Sequence, residues 1–439
     1  APQPFDFIVD GRLLRSSLRK CLLTSALSTE RVIPIEYTLA VRPPSASHSA
    51  PHDDWVSAVS AAQPSVIVTG SYDSHVRLFS VPPTSAAVAT PADATAHAAD
   101  AADGASSSAR CIQVAAAHSD AVTHIAALPG ASAFISASKD RTLRLWQLAA
   151  HTTDASSSLR ASVVAVMRGH SAAVQCAAVN ARANKLASCG WDSTIKLWPL
   201  PGLGGNAARR AGGLDASAGG GSGGMGEDAG GEGEDGEETG GAEGAGQARK
   251  RVRTAAGAVE AEGVALAPDL SLDAHTQCVA GVAWPSQGSS LFSVSWDHSL
   301  RSWDVEAAAA VSVRTSAHPL LTVAAGGGGM ASLVAVGGAH PTMLLWDMRA
   351  ATSVLSPSIQ LLGHTDWISS LAWSPSNPLH LLSSSYDASL KIWDLRSTVP
   401  LHTVKAHSDK VLCADWWQGG NAVVSGGADN LLRIFTHHS

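Results

Sequence analysis

An all-β fold built from seven repeated units of short strands is predicted by three observations. The first is self-similarity: a His, an Asp about 22 residues later and an aromatic six residues beyond that recur along the chain. The second is short apolar/polar alternation bounded by turn residues, as in Val174, Cys176 and Ala178 against Ala173, Gln175 and Ala177. The third is an aromatic balance of 13 Trp against 3 Tyr and 6 Phe, which places Trp at fixed positions in a chain of 439 residues, long for a single core.

Taken in order, the units are His52/Asp73/Phe79, His118/Asp140/Trp146, His170/Asp192/Trp198, His275/Asp297/Trp303, a degenerate His318/His340/Trp346, His364/Asp387/Trp393 and His407/Asp429/Phe435. In the stretch "SWDHSLRSWDV" this spacing makes Asp297 the internal acid, while Asp304 follows the strand. An Asp in a tight turn can accept hydrogen bonds from the buried His, and a middle-strand hydroxyl such as Ser188 with the indole N–H completes a buried network. These residues resemble the WD-repeat family, which implies a seven-bladed β-propeller over 39–439. Because the last unit ends near Phe435, the ring is expected to close with a strand from approximately Leu39–Ser49, which removes two exposed edges.

Successive internal acids, with His340 counted as the fifth, lie 67, 52, 105, 43, 47 and 42 residues apart. The excess falls in insertions at 82–109, 149–160 and 201–263, rich in Ala, Ser and Gly and expected to be disordered. Eight of the 37 acids lie between Glu227 and Glu243 with no base among them, which leaves 29 acids against 30 Lys and Arg elsewhere. The folded part is therefore near neutral despite a net charge of −7, and a broad basic face for duplex nucleic acid is not indicated. Arg249, Lys250, Arg251 and Arg253 form a basic cluster that reads equally as a nuclear import signal or a solubilising patch.

Six Cys without paired spacing suggest a reduced intracellular protein, and no apolar run or signal-like start indicates a membrane span or secretion. No phosphate loop or catalytic constellation emerges, so the expectation is a non-enzymatic protein with no cofactor, membrane or small-molecule substrate. The residue before each internal acid is Tyr72, Lys139, Trp191, Trp296, Ala339, Tyr386 or Ala428. Four aromatics at turns on one rim, joined by Trp55 and Trp367, point to a protein-docking surface; the alternative is rings sealing neighbouring blades.

Ahead of the ring, "FDFIVDGRLLRSSL…LSTERVIPIEY" reads as strand, Asp-Gly turn, short helix near Ser16 and Ser17, and a strand from Arg31. With "PHDDWVSAV", "VTGSYD", "GHTDWISSLAWSP" and "AHSDKVLCADW" it resembles the WD-repeat ribosome-assembly factors of the PeBoW complex (Ytm family), whose ubiquitin-like domain precedes a propeller. Residues 1–38 match only the latter part of that domain, and the chain starts at Ala1, so upstream residues are expected. The resemblance implies a scaffold in large-subunit (60S) biogenesis and pre-rRNA processing in the nucleolus and nucleoplasm. It implies propeller docking on the block-of-proliferation protein with pescadillo. It also implies that Glu30 is offered to a metal held by the midasin AAA ATPase, which removes the factor from the large-subunit pre-ribosomal particle; a carboxylate suits an open Mg²⁺ position. A second possibility is a substrate receptor of a cullin-type ubiquitin ligase, from "WDMR" at Trp346–Arg349 and "WDLR" at Trp393–Arg396.

Overall fold

The structure, a computed structural model, describes residues 4–24, 32–61, 66–81, 109–130, 132–153, 156–200, 264–286, 290–327, 332–349, 357 and 359–436. Among them the strands form seven four- or five-stranded sheets and one three-stranded sheet. The first blade holds Val56–Ser60, Val66–Ser71, His75–Ser80 and Arg110–Ala116, and the third holds Val174–Val179, Lys185–Gly190, Thr194–Pro199 and Leu270–Asp273. The fourth, fifth, sixth and seventh begin at Val279–Ala283, Leu320–Ala325, Ile368–Trp373 and Val411–Trp417, and the second at Val122–Ala127. Each opening strand packs on the opening strand of the next blade, and that of the seventh packs on that of the first. The ring is closed, and these seven strands line its central channel.

Closure is made by Ser45–Pro51, which pairs antiparallel with Leu431–Thr436 from Thr436↔Ser45 to Leu431↔Pro51. The strand starts later than the sequence suggests because Leu39 is committed elsewhere. It pairs with Phe5 in the N-terminal sheet of Phe5–Val9, Arg12–Leu13 and Ile35–Leu39. There a helix, Leu18–Thr24, starts where the Ser17 hydroxyl accepts from the Lys20 N–H. Ile8, Val9 and Leu13 are buried, whereas Phe5, Phe7, Tyr37 and Leu39 are exposed. This sheet is tied to the sixth blade by the Leu13 N–H bonded to the Arg396 carbonyl at 3.1 Å.

Six of the seven repeats make the same turn after the internal acid. Ser74, Arg141, Ser193, His298, Ala388 and Asn430 all take φ between 61° and 71°, a left-handed conformation that costs an ordinary residue about 1–2 kcal/mol. The acid offsets this by accepting from the backbone two residues on, as Asp297 does from the Ser299 N–H at 3.0 Å. The fifth repeat has Pro341 at the equivalent place, and proline cannot adopt positive φ. Its strand instead begins at His340 itself.

The core is divided among the gaps between blades and contains Trp198 and Trp393 at 1% and 0% exposure. Each fully buried side chain of Leu or Phe size contributes roughly 1.5–3 kcal/mol. Strict alternation fails in the opening strands, because a β-bulge interrupts them, between Val174 and Cys176 in the third blade. Val174 and Ala177 are consequently buried while Gln175, Cys176 and Ala178 are half-buried, the last two packed against the core between the third and fourth blades.

The 149–160 insertion departs from expectation. Thr142–Thr153 and Ser156–Arg168 are one long hairpin, paired as far as Thr153↔Ser156. Its strand hydrogen bonds need no apolar side chains, and the Gln113 amide of the first blade grips Ala161 through Nε2–H to its carbonyl (3.0 Å) and from its N–H (2.7 Å). Residues 82–108 and 201–263 lie outside the described residues.

Candidate functional site

The repeated polar residues form buried relays. In the third blade the Trp198 indole N–H donates to Ser188 Oγ at 2.9 Å, Ser188 meets His170 Nε2 at 2.7 Å, and His170 Nδ1 meets Asp192 at 2.7 Å. Chemistry fixes the protons: indole only donates, so the Ser hydroxyl proton goes to Nε2, and the imidazole proton sits on Nδ1 and points at the carboxylate. The same four-membered relay occurs as Trp146/Ser136/His118/Asp140, Trp303/Ser293/His275/Asp297 and Trp393/Ser383/His364/Asp387. His407, Ser425 and Asp429 repeat it without an indole. Ser, His and Asp in this order look like a hydrolase triad, but Ser136, Ser188, Ser293 and Ser383 are 0% exposed and their oxygens are held by indoles. The relay is a staple between loop and strands.

Its electrostatics are consistent with a neutral imidazole on a carboxylate. Burial alone would raise Asp140, Asp192, Asp297 and Asp387, but bonds from His and from the Thr or Ser hydroxyl two residues on hold all four below the usual range, Asp297 at about 2. Burial lowers His275, His364 and His407 despite their acids.

The first repeat breaks the pattern. His52 Nε2 bonds Thr69 Oγ1 at 2.8 Å, yet its Nδ1 has no partner. Asp73 instead turns to the Arg77 guanidinium at 2.6 Å, which also meets Asp53. An Arg one turn-and-strand away outcompetes a neutral imidazole for the carboxylate. Burial and the Arg77 charge push His52 down to about 4. In the degenerate fifth repeat His318 and His340 are exposed and stack at 4.4 Å. Val336 occupies the serine position, so no relay remains to be satisfied.

The six aromatic residues assigned to the rim are brought together in pairs. Trp55 lies 5.5 Å from Tyr72, Trp191 6.0 Å from Trp296, and Trp367 stacks on Tyr386 at 5.9 Å. Lys139 Nζ sits 4.2 Å over Tyr72 and Lys410 Nζ 5.2 Å over Tyr386, each a cation–π contact. Five of the rings, Tyr72, Trp191, Trp296, Trp367 and Tyr386, surround a cavity of about 180 Å³ at the channel mouth. Trp191, Trp55 and Trp367 are 55%, 41% and 37% exposed, whereas Trp296, Tyr72 and Tyr386 are half-buried beneath their partners. The rings pack on each other, and the outer faces of Trp191, Trp55 and Trp367 remain open. Gly190 is required beside Trp191 because a Cβ there would strike the Ala173 carbonyl.

Below the mouth the channel widens to about 490 Å³ and contains His124, Cys176 and Asp415. Sequence pattern gave no warning of these, since one residue from each of three repeats meets the others only when the ring closes. Among the described residues no group of three or more metal-ligating side chains occurs, and no helix is long and apolar enough to cross a membrane. Glu30 and the cluster Arg249, Lys250, Arg251 and Arg253 lie outside the described residues. In the two Trp-Asp-x-Arg sequences the guanidinium is spent on the neighbouring acid, Arg349 on Asp347 at 3.1 Å and Arg396 on Asp394 at 2.7 Å.

A closed ring of blades stapled by His–Asp relays defines a WD-repeat propeller. The family model "WD domain, G-beta repeat" matches residues 109–147, 161–199, 267–304, 355–394 and 398–436. In each of these five segments the repeat histidine bonds its internal aspartate. The chain is 35% identical to the "Ribosome biogenesis protein WDR12 homolog" of Oryza sativa subsp. japonica, covering 98% of this chain and 85% of the relative, and 36% identical to that of Arabidopsis thaliana over the same shares. It is 28% identical to the "Ribosome biogenesis protein YTM1" of Eremothecium gossypii, covering 99% of this chain and 86% of that one. The chain belongs to this WDR12/YTM1 family of ribosome biogenesis proteins.

Proposed function

We propose that the chain is a non-enzymatic scaffold for assembly of the large (60S) ribosomal subunit and for pre-rRNA processing, acting in the nucleolus and nucleoplasm. In this proposal the propeller docks on the block-of-proliferation protein, together with pescadillo, through the aromatic rim of the channel mouth. The N-terminal module then offers Glu30 to the metal of midasin for release from the pre-ribosomal particle. The observation that supports docking is the convergence of five aromatic rings on one mouth, three Trp of the rim having open faces, in a member of this family. Large amphipathic rings at low entropy cost are the usual anchors of protein interfaces.

Affinity purification of the tagged chain with and without residues 1–38 tests the division of labour. Both versions should recover the block-of-proliferation and pescadillo partners, and only the longer should recover midasin; failure of both to recover assembly factors overturns the proposal. Replacing Trp191 and Trp296 together by Ala should weaken partner binding by about 2 kcal/mol or more, and unchanged affinity would remove the rim from the interface. Glu30→Asp, one methylene shorter, should keep propeller binding and lose ATPase engagement, read as retention of the factor on pre-ribosomes.

A further inference from the structure

We propose that Cys176 and Cys189 are a peroxide-reactive dithiol in the wall of the central channel, closing to a cross-strand disulfide. The two are direct partners in the antiparallel pairing of Val174–Val179 with Lys185–Gly190. Directly opposed residues in such a pair have Cα atoms about 4.5–5.5 Å apart, inside the range a disulfide spans. The equivalent pairs of the other blades are Ala58–Gly70, His124–Ala137, Gly281–Val294, Thr322–Gly337, Ser370–Ser384 and Cys413–Gly426. Two thiols face each other in the third blade alone among these.

The environment divides their roles. Cys176 is half-buried on the channel wall, its Sγ 3.9 Å from the Val282 carbonyl of the fourth blade, while Cys189 is fully buried behind it. A hydrogen bond from Cys189, with the charge and hydrogen bond of His124 from the second blade, holds the Cys176 thiol well below its ordinary range against the effect of burial. Burial and the proximity of Cys176 push Cys189 well above it. His124 occupies in its blade the register position that Cys176 occupies in the third, which is why the two meet across neighbouring opening strands. One thiolate nucleophile and one protonated resolving thiol are the arrangement that thiol oxidation chemistry uses.

The chemistry balances with hydrogen peroxide as oxidant. Cys176 gives its proton to His124 and its sulfur attacks one peroxide oxygen; the S–O bond forms, the O–O bond breaks, and the departing hydroxide takes the proton from His124 as water. The Cys189 sulfur then attacks the Cys176 sulfenic acid, forming S–S and breaking S–O, and its proton leaves with that oxygen as a second water. Two thiols lose two electrons and peroxide gains them.

The test is stepwise isotope-coded alkylation of all six cysteines of the full chain during exposure to hydrogen peroxide, with non-reducing peptide mapping. Cys176 and Cys189 should disappear together, at least tenfold faster than Cys21 and the exposed Cys111, and appear as one linked peptide that a thiol reductant releases. In Cys189→Ser, Cys176 should be trapped as sulfenic acid by a cyclic 1,3-dione. His124→Gln should slow the loss about tenfold with an unchanged circular dichroism spectrum. Oxidation of Cys111 first, equal rates at all six, or a Cys189–Cys278 link overturns the proposal, and the wild-type order decides if a variant fails to fold.

Discussion

The fourth and fifth blades are neighbours in the ring, and each buries a tryptophan, Trp303 at 2% and Trp346 at 3% exposure. They share the first histidine and differ at the other positions behind it. The fourth has His275, Ser293, Asp297 and a left-handed His298; the fifth has an exposed His318, Val336, His340 and Pro341. A half-finished relay would bury a polar group without a partner, at about 1–3 kcal/mol, whereas an apolar replacement of the whole set costs little. The ring thus tolerates one blade held by strand pairing and packing without any relay, whereas the first repeat keeps part of one and leaves the His52 Nδ1 without a partner.

The largest contrast is expected between Asp297→Ala and His340→Ala. The first strips a carboxylate from His275, Thr276 and Ser299 and should cost about 3 kcal/mol; the second should stay within about 0.5 kcal/mol. Equal shifts in urea midpoint would show that the acid is not what holds the fourth blade.

Acid sharpens the contrast between a relay and the incomplete first repeat. The Asp297 pKa is depressed in the folded state to about 2 from 3.8, so its contribution is present above the ordinary carboxylate range and is lost as pH falls toward 2. The His52 pKa is also depressed, to about 4 from 6.5, so the unfolded chain takes up its proton first and stability falls between about pH 6.5 and 4. At 1.36 kcal/mol per unit this amounts to at most about 3 kcal/mol. His52→Gln should make the melting-temperature slope in that window shallower, the lowered His275, His364 and His407 supplying the remainder, and leave the loss below pH 4 unchanged.

A smaller effect is expected from Val336→Ser, which places one hydroxyl in the fifth blade without the histidine or acid to receive it. About 1–2 kcal/mol should be lost, and a neutral result would show that the fifth blade admits a partner for the hydroxyl.

Much of this was legible in the chain. His170, Asp192 and Trp198 announced a relay by spacing, and Tyr72, Trp191, Trp296 and Tyr386 announced a rim by their place before the internal acid. Where the sequence-based expectation failed, a competing interaction had entered from a neighbouring position. Arg77 took Asp73 from His52, Gln113 helped hold the 149–160 hairpin in a segment whose composition suggested disorder, and Phe5 took Leu39 from the closing strand. The bulges at Val174 and its counterparts are likewise invisible to a period-2 pattern.

The chain's own pattern carried the repeat, the all-β class and the His–Asp relays, because each relay depends on local spacing within a unit, and the quoted motifs carried the family resemblance. Only the tertiary structure decided which aromatics share the channel mouth, and that His124 and Asp415 line the same channel as Cys176. Those neighbours come from different blades, and their proximity follows from closing the ring, a constraint that acts on all seven units at once and leaves no mark in any one of them.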